Sequence, residues 1–112
     1  MKKKPLKKIT VKKDRSGRIT IPKYLIDYTY PLKMSEAVVY DCRSKNTLFL
    51  LPADDTKVLH YSNFKNEFPD GKYHYYLSTD NGSFRFHLNS EKDSVLVEKN
   101  EKFGSDVIEV RY

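Results

Sequence analysis

Apolar residues recur at every second position along much of this chain, the spacing of strands with one buried face. Ile9-Thr10-Val11 and Arg18-Ile19-Thr20-Ile21 are the first two such runs, and Asp14-Arg15-Ser16-Gly17 lies between them. Glycine adopts positive φ without steric cost, so the pattern predicts a hairpin turning there. Pro22 suits the first position of a helix, where its missing N–H costs nothing. That helix is predicted over 23–28, with Leu25, Ile26 and Tyr28 as candidates for burial, and Pro31 ends it. Two more strands are predicted at 37–43 and 47–51, joined by a turn at Ser44-Lys45-Asn46, and Pro52-Ala53-Asp54-Asp55 marks a boundary.

The second half repeats the rhythm. Runs at 73–79 and 83–88 flank Asp80-Asn81-Gly82, a strong hairpin signal, and runs at 95–98 and 106–112 flank Lys102-Phe103-Gly104. A further strand at 58–61 is an option, while 56–68 as a whole reads ambiguously. Placing Gly82 on Gly17 sets Phe84 on Ile19 and Phe86 on Ile21, but puts His87 where Pro22 stands and leaves the second half without the counterpart of Arg18. Alternating strands after glycine turns resemble one another by default, so coincidence is the expectation over duplication.

Composition narrows the classes. Of 112 residues, 38% are hydrophobic and 32% charged, enough for one modest domain or two small units that need each other. No apolar run is long enough for a membrane helix, and the lysine-rich start lacks the apolar stretch of a signal peptide. With the single Cys42 unable to form an internal disulfide, the expectation is a cytoplasmic protein.

The net charge of +6 is unevenly placed. Residues 1–23 hold ten Lys or Arg against Asp14 alone, +9, so the remaining eleven bases and fourteen acids give −3. Such a concentration attracts a polyanion, because each neutralised phosphate releases counterions. A membrane surface fits less well, since Lys2 to Lys8 lack bulky apolar anchors on a helical face.

Lys13-Asp14-Arg15-Ser16-Gly17-Arg18-Ile19-Thr20-Ile21-Pro22-Lys23, then a short helix, a Leu-Lys-Met connector and a strand pair ending in Leu-Leu-Pro, resembles the SpoVT/AbrB swapped-hairpin domain over residues 8–53. The resemblance implies that two chains exchange hairpins to build one β-barrel-like homodimer, with a short helix per chain and basic loops on double-stranded DNA. It places Arg15 and Arg18 around the turn glycine where basic residues face DNA. Lys8, Lys12, Lys13 and Lys23 would contact phosphates, and arginine would read base edges. A unit of this size exposes sheet edges and has little core, so pairing with a second copy is a physical remedy. The chain departs from the pattern in its helix, which carries no internal base, in Glu36-Ala37 before the third strand, and in Tyr30-Pro31.

The expected fold is therefore mostly β: a flexible basic arm at 1–7, the AbrB-like domain at 8–53, and an antiparallel β-rich unit at 56–112. The expected function is a dimeric DNA-binding transcriptional regulator, with 56–112 available for oligomerisation, ligand response or a protein partner. Two alternatives stand beside it. One is an antitoxin that binds both DNA and a toxin, although 72–112 alternates like a folded sheet. The other is an RNA-binding module stacking bases on Tyr73, Tyr75, Phe84 and Phe86, a spacing that equally describes a buried face.

No enzyme, cofactor or metal is expected. Cys42 with His60, His74 or His87 forms no nucleophile signature and no zinc spacing, and the glycines are isolated turn residues. His74 and His87 are expected to be cross-strand neighbours if 73–79 and 83–88 pair.

Overall fold

The computed structural model describes residues 8–29, 36–52, 64–88, 90–102 and 105–112. Eight strands appear in it: β1 (Lys8–Lys12), β2 (Arg18–Ile21), β3 (Glu36–Cys42), β4 (Thr47–Pro52), β5 (Lys72–Leu77), β6 (Phe84–His87), β7 (Ser94–Lys102) and β8 (Ser105–Arg111). One helix, α1 (Lys23–Thr29), follows β2, and a 3-10 turn at Arg43–Lys45 links β3 to β4. The fold is mostly β and antiparallel, as expected. The possible strand at 58–61 and the basic arm at 1–7 lie outside the described residues.

Six strands form one sheet in the order β1-β7-β8-β4-β3-β5, and β2 pairs with β6 in a separate two-stranded ribbon. The sheets are open and close no barrel among the described residues. Strand pairs β3/β4 and β7/β8 are hairpins. The two glycine turns, however, do not join paired strands. β1 pairs with β7 and β2 with β6, whereas β5 pairs with β3. Each turn instead carries the chain from the sheet to the ribbon, because both arms find apolar partners in the other half of the sequence.

Alternation explains the layering. One face of the sheet buries Ala37, Val39, Leu48, Leu50, Val95, Val97, Ile108 and Val110, and the ribbon covers it with Ile19, Ile21, Phe84 and Phe86. Leu25 and Ile26 of α1 join this core. Full burial of side chains of this size contributes about 1.5–3 kcal/mol each. The opposite face buries Tyr40, Phe49 and Leu51 beneath Phe64, which belongs to a helical turn at 64–67.

The two halves are related by a pseudo-two-fold axis. Exchanging β1 with β5, β2 with β6, β3 with β7 and β4 with β8 leaves the sheet order unchanged. The register survives the exchange: Ile9 opposite Val97 corresponds to His74 opposite Val39, and Val39 opposite Leu50 corresponds to Val97 opposite Val110. Thr20 faces Arg85 across the ribbon and Phe49 faces Glu109 across the sheet, and the axis passes between both pairs. The alignment of Gly17 with Gly82 is therefore structural, which corrects the expectation of coincidence. It escaped the sequence because only central core positions such as Val39 and Val97, or Leu50 and Val110, keep their character, while Ile9 corresponds to His74 and the outward Tyr40 and Phe49 to Glu98 and Glu109.

Candidate nucleic-acid interface

The Asp14–Arg18 turn is built by its own side chains and backbone. The Gly17 N–H donates to the Asp14 carbonyl at 3.0 Å, and the Asp14 N–H donates to the Arg18 carbonyl at 2.8 Å. Asp14 Oδ1 accepts from the amides of Ser16 at 2.8 Å and Arg18 at 3.0 Å. The Arg18 amide, followed by the Ser16 amide and the Arg18 guanidinium, holds the Asp14 carboxyl below its ordinary range, outweighing a partial loss of hydration. Gly17 has φ 78°, and a Cβ there would meet His87 Nε2 at 3.0 Å.

The second turn repeats this scaffold. The Gly82 N–H donates to the Thr79 carbonyl at 2.9 Å, the Thr79 N–H to the Ser83 carbonyl at 2.7 Å, and Gly82 has φ 85°. Thr79 Oγ1 accepts from the Ser83 amide at 3.3 Å, as Asp14 accepts from Arg18. Asp80 and Asn81 stand where Arg15 and Ser16 stand, and Ser83 replaces Arg18.

The six basic residues singled out in the sequence lie on connected elements but differ in engagement. Lys8 and Lys12 project from the same side of β1, an edge strand, as the period of two requires. Lys8 Nζ lies 3.6 Å from Glu98 Oε2, Arg18 Nε 3.4 Å from Asp14 Oδ2, and Lys23 Nζ 2.6 Å from Asp27 Oδ2. Lys13 Nζ donates to the Ser90 carbonyl. Among the described residues, Arg15 and Lys12 have no side-chain partner and are exposed. Exposed ion pairs contribute about 0–1 kcal/mol, so Arg18 and Lys23 exchange a carboxylate for a phosphate at little cost, whereas the Glu98 partner of Lys8 is buried and also pairs with Arg111.

The aromatic residues divide. Phe84 and Phe86 are buried in the main core, while Tyr73 and Tyr75 are exposed on β5. β5 and β1 are opposite edges of a six-stranded sheet, about 24 Å apart at ordinary strand spacing. The exposed tyrosines and the basic strand therefore share a face of the sheet but stand at its two opposite edges. Tyr75 OH donates to Glu36 Oε1, and the Tyr73 ring sits 4.6 Å from that of Tyr40.

His74 and His87 are not cross-strand neighbours, because β5 and β6 do not pair. His74 lies opposite Val39 and His87 opposite Arg18. Both line a cavity that sequence reasoning did not foresee. Cys42 is buried, and among the described residues no group of three or more His, Cys, Asp or Glu could hold a metal. No described helix is long and apolar enough to cross a membrane. Comparison with protein-family models, curated proteins and solved structures gives no match for this chain.

Proposed function

We propose that this chain is a DNA-binding transcriptional regulator acting as a homodimer, with the Arg15-Ser16-Gly17-Arg18 turn as its reading element. The observation carrying this proposal is the second turn. Thr79–Ser83 makes the same backbone hydrogen bonds with no basic residue, so the turn needs neither arginine for its shape. Two arginines on an exposed tip, beside an edge strand carrying Lys8 and Lys12, suit duplex DNA: lysines neutralise phosphates and arginine makes paired hydrogen bonds to a guanine edge. One chain offers one such turn, because its pseudo-symmetric counterpart carries Asp80. A DNA site with two related halves therefore takes two copies.

Single-stranded RNA is the less favoured polyanion, since the exposed tyrosines lie on the edge away from the lysines. A toxin-wrapping tail would require residues 72–112 to leave the fold, yet β7 and β8 sit inside the six-stranded sheet. Competition tests the reading. Labelled duplex DNA bound to the protein is expected to be displaced by unlabelled duplex at far lower concentration than by single-stranded RNA of equal length. Displacement by RNA at equal or lower concentration would overturn it.

A further inference from the structure

Among the described residues, one break in the pseudo-symmetry lies at α1. α1 follows β2 and packs beside β8, with Lys99 Nζ 4.6 Å from the Tyr28 ring centroid. The equivalent interval after β6, residues 88–93, contains no helix among its described residues. Under the exchange, β8 becomes β4 and Lys99 becomes Asp41. The position that a second helix would occupy is thus beside Asp41 and Leu48. A cavity of about 480 Å³ lies there, within the usual range of small-molecule sites.

Its chemistry is divided. Val39, Leu48, Phe86 and Leu88, all buried, form an apolar floor. The charged groups are Asp41 and Lys72, which face each other across β3 and β5, with Arg43 and Asp70 farther along the same two segments. Tyr112 OH donates to Asp41 Oδ1 at 2.6 Å, and burial, followed by this bond, holds the phenol protonated well above its usual range. Among the described residues, the side chains of Arg43, Lys72 and Asp70 make no hydrogen bond or ion pair, although the charge of Arg43 acts on Tyr112 and that of Asp70 on Tyr40. Two acids and two bases repel neither sign outright. A plain anion would meet Asp41 and Asp70, and a plain cation would meet Arg43 and Lys72.

We propose that this cavity binds a small zwitterion with an apolar side group, of the class of the apolar and aromatic α-amino acids. The carboxylate faces Arg43 and Lys72, the ammonium faces Asp41 and Asp70, and the side group lies on Phe86 and Leu88. The site does not rest on the DNA reading, although it adjoins the basic turn. His87 lines the cavity and its imidazole lies against Gly17, while the Leu88 N–H donates to the Gly17 carbonyl at 3.2 Å.

Titration of the full chain with L-phenylalanine and L-leucine, followed by amide NMR and calorimetry, tests the site. Saturable binding with a dissociation constant below about 1 mM is expected. Shifts should centre on His74, His87 and Leu88 and extend to Gly17. 3-Phenylpropionate, lacking the ammonium, and phenethylamine, lacking the carboxylate, should each bind at least about tenfold more weakly, a difference of roughly 1.4 kcal/mol. Arg43→Ala/Lys72→Ala and, separately, Asp70→Asn change exposed side chains and should weaken L-phenylalanine at least as much, with the fold checked by the unchanged spectrum. Absence of saturable binding overturns the proposal. So does equal binding of phenylpropionate, which would indicate a simple anion site, or affinity unchanged in both variants.

Discussion

The turn at Asp14–Arg18 and the turn at Thr79–Ser83 share a backbone and differ in charge. Each uses a positive-φ glycine and an oxygen on its first side chain, and each passes the chain from sheet to ribbon. The first exposes Arg15 and Arg18, and the second exposes Asp80 and Asn81. Shape at these positions is therefore separable from chemistry. What the two turns share belongs to folding, and what they do not share is available for function.

The strongest way to break the equivalence is through the cores the turns feed. Phe84→Ala and Ile19→Ala remove pseudo-symmetric, fully buried side chains, and should cost about 3–5 and 2–5 kcal/mol respectively by chemical denaturation. Loss of one half of the fold while the other kept its cooperative transition would contradict the shared core.

A smaller effect is expected at the glycines. Gly17→Ala and Gly82→Ala force a side chain into the left-handed region, costing roughly 1–3 kcal/mol each. The two values should agree within about 1 kcal/mol, because the added Cβ meets only movable atoms, the His87 ring at 3.0 Å and the Lys23 stem at 3.2 Å. Melting curves of the two variants measure this.

Acid separates the turns more finely. Asp14 has its folded-state pKa lowered from 3.8, so the stabilisation it lends is complete above pH 3.8 and is lost as pH falls through the lower folded value. Thr79 does not titrate. Protection of the Ser16 and Arg18 amides, measured against the intrinsic exchange rate at each pH, should therefore fall in acid while Ser83 keeps its protection. The smallest stability effect is that of Arg15→Ala/Arg18→Ala, expected within about 0.5 kcal/mol per site because both residues are exposed.

Strand positions and α1 were legible because period-two alternation and Pro22 act locally. Pairing was not. Asp80-Asn81-Gly82 signals a tight turn, but whether its arms pair depends on which partner buries Phe84 and Phe86, and that partner is β2, far away in sequence. The helical turn at 64–67 had only the spacing of Phe64 and Phe68 to announce it, two aromatic residues four apart that pack on Phe49. Of the basic site, identity and exposure were readable. The partners of Lys8 and Lys13 were not, since Glu98 and Ser90 are brought to them by the β1/β7 pairing. The cavity was invisible for a related reason: it lies where the counterpart of α1 would sit, and among the described residues of 88–93 there is no helix.

The central claim is that the arginines of the first turn serve DNA rather than the fold. The most direct measurement is the salt dependence of duplex binding by wild type, Arg15→Ala/Arg18→Ala and, as a control on the matching turn, Asp80→Ala. The double variant should keep its melting temperature and lose preference among duplex sequences, while the slope of log affinity against log salt, set chiefly by the phosphate contacts of the lysines, falls by less than about 2. Asp80→Ala should leave sequence preference unchanged. An arginine double variant with wild-type affinity, slope and preference would contradict the account and return Arg15 and Arg18 to the status of solvated turn charges.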